Sequence, residues 1–354
     1  MPPVSTERFR DVERLIAAAV AARIAPAIAI EVGDRHRVLW QAATGTLTYD
    51  TGALPCTSDT VFDLASLTKV IATASLAMRA TDEDAGFLAT PVASFDQRWR
   101  GNDRSTVTVG HLLDHSSGLP AHVKLYETAS GRDAFRERIM REPLVYAPGT
   151  ASQYSDLGFI LLGLLIEDQL RAPIDDLFRP IADRLTTAMT FNPPADDRRA
   201  TAPTEIDSWR GRLLQGEVHD ENTAAIGGAA GHAGLFGTAR DVGRFAQLVL
   251  RTCREDTWLA RQRTIQMFAT RSSVPGSSRA LAWDTMLPTS SCGTRMSASA
   301  IGHTGFTGTS LWIDPARDVY VVLLTNRVHP SRDGEGIQPL RRAVHDAVMM
   351  AVEL

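Results

Sequence analysis

Lysine is almost absent from this chain. Of its 37 basic residues only Lys69 and Lys124 are lysines, and the other 35 are arginines. A guanidinium stays charged, so a retained lysine marks a place where a titratable amine is useful. Cysteine is scarce too. Cys56, Cys253 and Cys292 are widely spaced and form no C-x-x-C pair. This argues against a disulfide framework or a clustered zinc site. Unpaired thiols point to a reducing, cytoplasmic setting. No apolar run approaches the roughly 18 residues of a membrane span. The nearest candidate, Phe159 to Ile166, is far too short. No long basic run occurs, and 41 acidic residues leave a net charge of −4. That balance offers no footprint for nucleic acid.

What is present fits a globular enzyme. The 354 residues, 44% hydrophobic and 22% charged, suffice for one large core or two smaller ones. Arg8, Arg10 and Arg14 before the apolar stretch from Leu15 to Ala22 have the look of a signal peptide, but Glu7, Asp11 and Glu13 interrupt the basic region. Phe9, Val12, Ile16 and Ala19 instead recur at the spacing of an amphipathic helix.

Ala27 to Val32 and Arg37 to Ala43 read as a strand pair around Gly33-Asp34. Helical periods follow from about Ser66 to Met78, then at 109–114, 133–140, 158–170 and 241–250. The stretch 192–232 reads as largely irregular. Ser310 to Ile313 and Val319 to Thr325 form a second strand pair, and a helix from about Gln338 to Val352 closes the chain. Strands at both ends predict one sheet built from both termini, with a mainly helical region inserted.

Three short patterns carry chemistry. Ser66-Leu67-Thr68-Lys69 is an S-x-x-K. Three residues make about one helical turn, so hydroxyl and amine share a face. An amine that can hold or release a proton activates a serine that is otherwise a poor nucleophile. Tyr154-Ser155-Asp156 supplies a phenol, which beside a lysine can act as base and then acid. His303-Thr304-Gly305-Phe306 lies just before or on a C-terminal strand, where backbone N–H groups can line an oxyanion hole. Each pattern alone also suits an ordinary helix start, loop tyrosine or glycine-rich strand edge. The order and spacing of all three are far more specific.

Together they resemble the serine β-lactamase and penicillin-binding-protein superfamily, in its class C-like branch with the family VIII-type carboxylesterases. The segments from Thr108 to Leu119 and from Gly227 to Phe236 extend the similarity, which runs from about residue 10 to the end. The resemblance implies an α+β, β-lactamase/transpeptidase-like fold, with residues 1–80 and 285–354 forming the sheet region and 81–284 the helical region. The active site would lie in the cleft between them. It implies that Ser66 is acylated, Lys69 assists its deprotonation and Tyr154 moves the proton. The backbone N–H groups of Ser66 and Phe306 would form the oxyanion hole, and Asp156, His303, Thr304 and Gly305 would bind substrate. No metal or organic cofactor is implied, and the partner is a small-molecule ester or amide.

Two departures stand out. Asp156 replaces the asparagine of class C β-lactamases, and an ionised carboxylate there would keep Lys69 protonated. His303 replaces a lysine. A histidine is largely neutral at pH 7 and would hold a substrate carboxylate less firmly. Short-chain carboxylic esters are therefore the expected substrates. A DD-peptidase, D-aminopeptidase or weak β-lactamase is the alternative, and a catalytically silent binding protein is the alternative of another class. His219-Asp220 either lines the cleft or clasps the glycine-rich segment. His111 and His115, four apart, have zinc-like spacing, but no H-E-x-x-H and no third ligand accompany them. There is no G-x-S-x-G. Of the scattered tryptophans Trp40, Trp99, Trp209, Trp258, Trp283 and Trp312, most are expected in the core or the cleft wall.

Overall fold

The computed structural model describes residues 6–353. Residues 1–5 of the expected sheet region, and residue 354, lie outside the described residues. A six-stranded antiparallel sheet runs in the order Val38–Gly45, Ala27–Gly33, Val319–Thr325, Ser310–Asp314, Ile301–Thr304, Asp284–Thr285. Strands from both termini meet at its centre, where Ile30 stands opposite Leu323 and Ala42.

Period-2 alternation sends the side chains of these strands to opposite faces. Ile28, Ile30, Val32, Trp312, Val321 and Leu323 pack into one apolar layer with the terminal helices Arg10–Ala21 and Ile337–Glu353. Phe9, Val12, Ile16 and Ala19 are the buried stripe of the first helix and its approach, as their spacing predicts. Ala27, Ala29, Leu311, Ile313, Val322 and Leu324 face the larger core. Helix Ala239–Thr252 lies on that side, mainly against strands Val319–Thr325 and Ala27–Gly33, although it belongs to the 81–284 stretch. The mixture of helices with antiparallel sheets is α+β, as expected.

Helix Asp156–Leu170 is apolar nearly all round and is buried over most of its length. Its Ser155 cap accepts the Gly158 N–H. Gly163 and Gly231 let backbone approach backbone: a Cβ on Gly231 would lie 2.2 Å from the Phe159 carbonyl oxygen. The glycine-rich segment thereby lies directly on this helix. No helix among the described residues is long and apolar enough to cross a membrane.

The expected helix from Ser66 is more particular than its periodicity. Ser66 itself is in a turn, helical geometry starts at Leu67, and Lys69–Thr73 is a π-helical stretch before the α-helix Ala74–Glu83. The stretch 192–232 is not wholly irregular. It holds a small hairpin, Ile206–Asp207 with Arg212–Leu213, and the short helix Glu221–Ile226. Strand Ile301–Thr304 carries His303 and was not delimited from sequence, because Gly302 and Gly305 mask its alternation.

Candidate active site

The short strand Phe62–Asp63 ends in a sharp turn. Ala65 is left-handed there, with φ +48, and its N–H is fixed by the Asp63 carboxylate at 2.8 Å. A non-glycine residue in that region costs about 1–2 kcal/mol, so the surroundings must enforce it. Thr307 Oγ1 donates to the Asp63 carbonyl (2.8 Å) and Thr309 Oγ1 to the Leu64 carbonyl (3.0 Å). The turn after His303 is thereby tied to the turn before Ser66. Gly305 is required for that approach, since a Cβ would lie 2.0 Å from Thr309 Oγ1.

One turn beyond Ser66, Lys69 is fully buried. Its Nζ donates to Ser66 Oγ (3.0 Å), Asp156 Oδ1 (2.8 Å) and the His232 carbonyl (3.1 Å). An ammonium has three N–H donors, and all three are used. The glycine-rich segment supplies the last acceptor, and it is secured by Thr73 Oγ1 on the Gly231 carbonyl (2.6 Å). Tyr154 stands on the other side, its hydroxyl 2.9 Å from Ser66 Oγ.

Electrostatics make this a charged pair beside two neutral hydroxyls. Burial works against the Lys69 charge, yet the Asp156 carboxylate, and Tyr154 when it is ionised, outweigh it, and the amine is raised above its ordinary value. Burial also opposes the Asp156 charge, but Lys69 and the His122 contact hold that carboxyl far below the usual carboxylate range. Burial raises the Tyr154 phenol, with the Lys69 cation opposing. His303 is held well below the usual imidazole range by burial, then by Arg279 and Lys69. Its Nδ1 donates to the Thr304 carbonyl at 2.8 Å, which leaves Nε2 as a bare acceptor.

Two cavities of about 400 and 470 Å³ flank the nucleophile and share Ser66, Asp156 and Phe306. The first is bordered by His122, Lys124, His219, Asp220, Glu221 and Arg332 among others. The second is bordered by Tyr154, His303, Thr304, Gly305 and three arginines, Arg279, Arg327 and Arg341. Arg327 and Arg341 donate to backbone carbonyls. Among the described residues, no salt bridge joins any of the three to a carboxylate.

A sequence profile described as Beta-lactamase matches residues 12–346. The chain belongs to the Beta-lactamase family. The N-acetylmuramyl-L-alanine amidase of Bacillus subtilis (strain 168) is 31% identical over 369 residues, covering 92% of this chain and 82% of the relative. A protein of Escherichia coli (strain K12) with the provisional name D-alanyl-D-alanine carboxypeptidase is 30% identical over 371 residues, covering 92% and 83%. A penicillin-binding-protein homologue from Caulobacter crescentus has the same fold, with a TM-score of 0.77 at 18% identity over 99% of both chains. This is the β-lactamase/transpeptidase-like fold of a serine hydrolase.

In this Beta-lactamase-family chain the structure brings Ser66, Lys69, Tyr154 and Asp156 into one hydrogen-bonded group, with His303, Thr304, Gly305 and Phe306 along its edge. His219 and Asp220 both line the cleft, but only Asp220 acts as a clasp, since His219 is engaged by the carboxylates of Asp63 and Glu205. Asp220 clasps the glycine-rich segment through His232 Nε2 at 2.8 Å. His111 and His115 are occupied otherwise. His111 Nδ1 accepts the Thr108 N–H as part of a helix cap, and His115 Nδ1 accepts the Ser155 N–H. Trp99, Trp283 and Trp312 are fully buried, whereas Trp209 is exposed. Sequence reasoning missed Arg279, Arg327, Arg341, His122 and His232. Arginine is so common in this chain that none of the three stood out, and only the fold gathers them.

Proposed function

We propose that this chain hydrolyses esters and amides through a Ser66 acyl-enzyme, and that its preferred substrates carry a carboxylate on the leaving-group side. The observation behind the substrate class is the cavity walled by Arg279, Arg327 and Arg341 next to Ser66. Arg341 is 3% exposed and its Nε has no partner among the described residues. A buried guanidinium without a counter-charge is costly, and an anionic substrate group supplies one. His303 is neutral, so the arginines take the part expected of a lysine at that position. D-amino-acid peptides with a free C-terminus fit this wall, in keeping with the name of the Escherichia coli relative, whereas the Bacillus subtilis relative is named for an amide of L-alanine. Neutral short-chain esters are a second reading, favoured by the uncharged His303.

The reaction follows from the hydrogen bonds. Lys69 has no free donor or lone pair to offer, so Tyr154 is the group left to take the Ser66 proton. In its ionised form Tyr154 accepts that proton while Oγ bonds to the substrate carbonyl carbon. The developing oxyanion would be met by the N–H groups of Ser66 and Phe306. Tyr154 then passes the proton to the leaving nitrogen or oxygen as that bond breaks. Water attacks the acyl-enzyme by the same steps in reverse order, giving acid and free Ser66.

The test compares an acylated peptide ending in D-Ala-D-Ala, its C-terminal amide and p-nitrophenyl butyrate. The free acid should be cleaved with a kcat/KM at least ~10-fold above the amide, the size of one charged hydrogen bond. Equal rates for acid and amide, with the ester fastest, would reject the carboxylate reading in favour of neutral esters.

A further inference from the structure

His115 belongs to a segment that the reaction as written does not use. It is 1% exposed and has a left-handed backbone, φ +61. From that position the 114–116 turn grips the extended chain that carries Tyr154 at three points. The Asp114 carbonyl accepts Ser152 Oγ at 3.0 Å, the His115 carbonyl accepts the Gln153 N–H at 3.0 Å, and His115 Nδ1 accepts the Ser155 N–H at 3.1 Å. Tyr154 lies between the last two. The imidazole also packs on the phenol, with ring centroids 4.7 Å apart and planes tilted by 42°. Tyr146 OH strengthens the grip by donating to the His115 carbonyl at 2.9 Å and accepting the Gln153 N–H at 3.0 Å.

We infer that His115 is the positioning residue for Tyr154, holding the phenol at Ser66 by clamping the backbone on both sides of it and supporting its ring. The inference rests on Tyr154 as the proton carrier. A side chain with its amide neighbours fixed on both sides has little freedom left beyond its own rotamer. A displacement of about 1 Å at a reacting group costs on the order of 100-fold in rate. Buried Nδ1 has a demanding task here: without an acceptor the Ser155 N–H would be left unpaired in the interior.

His115→Phe keeps the ring and removes the acceptor. His115→Asn keeps an acceptor on a short side chain that tolerates the left-handed backbone. The readouts are the rate of Ser66 labelling by a fluorophosphonate, the kcat and KM for p-nitrophenyl butyrate, and the melting temperature, each also with Tyr154→Phe. His115→Phe should lower labelling and kcat by about 10–100-fold with KM little changed, and His115→Asn should recover most of the loss. In the Tyr154→Phe background His115→Phe should add almost nothing, because both act through one group. Equal losses in both backgrounds, or a folded His115→Phe protein at the wild-type rate, would overturn the positioning role. A Tyr154→Phe protein that labels at the wild-type rate would overturn the proton-carrier reading, and this inference with it.

Discussion

Lys69 Nζ and Asp156 Oδ1 lie 2.8 Å apart although 87 residues separate them in the chain. The ion pair has one member fully buried, and it borders the nucleophile directly. Its charge state decides which group can accept the Ser66 proton. Asp156 as an anion raises both the Lys69 amine and the Tyr154 phenol. The base form of this group is therefore reached only in the alkaline range, and kcat/KM should climb as pH rises through it. Asp156→Asn removes the anion, lowers both groups and brings the rise to lower pH, by roughly 1–3 units. Profiles of kcat/KM between about pH 6 and 10.5 for both proteins check this. A rise that stays in place, or moves upward, contradicts the assignment.

Arg279 is the freest of the three arginines in the second cavity. Its guanidinium lies 5.1 Å from the Tyr154 ring centroid, and it borders the same cavity as His303. Arg279→Ala should lower kcat/KM for a carboxylate-bearing peptide by about 10–100-fold, the loss of one charge-assisted hydrogen bond. Turnover of p-nitrophenyl butyrate should change far less. Parallel losses on both substrates would mean that Arg279 supports the site as a whole and does not choose the substrate.

Glu31 takes no part in this chemistry; it is buried in strand Ala27–Gly33 and 1% exposed. Tyr320 OH donates to its Oε1 at 2.9 Å, and Oε2 has no partner among the described residues. Burial pushes the carboxyl up to about 7 from 4.5. A raised carboxyl favours the protonated form in the folded state. Its contribution to stability is complete below about pH 4.5 and is lost as pH rises through 7. Glu31→Gln should therefore be the more stable protein at about pH 8.5, by up to ~3 kcal/mol, and should match wild type near pH 4.5. Urea unfolding at the two pH values measures the difference, and a Glu31→Gln protein that is weaker at both would reject this account of Glu31.

The sequence and the structure agree best where one local rule acts. The stripe Phe9, Val12, Ile16, Ala19 follows from a helical period and is buried on that face, and the continuous apolar run Val319 to Thr325 is a strand buried on both faces. The Ser66–Lys69 pair was legible because a separation of three residues puts both side chains on one face, and the turn-like Lys69 N–H to Ser66 carbonyl bond keeps that relation although Ser66 itself precedes the helix. Tyr154 needed the resemblance, since nothing local says which distant phenol reaches Ser66. The arginine wall was illegible for a different reason. Arg279, Arg327 and Arg341 come from three segments, and only the folded sheet and terminal helix bring them to one cavity. His303 could be read as neutral from its chemistry, but its effect on substrate choice depends on neighbours that no sequence spacing reveals.

All of this chemistry depends on Ser66 carrying the acyl group. Intact-mass spectrometry, run within seconds of mixing the protein with p-nitrophenyl butyrate or a fluorophosphonate, tests it most directly. One adduct per chain is expected, mapped by peptide fragmentation to Ser66, with adduct and turnover both absent from Ser66→Ala. An adduct on another residue, or turnover that persists in Ser66→Ala, would contradict it.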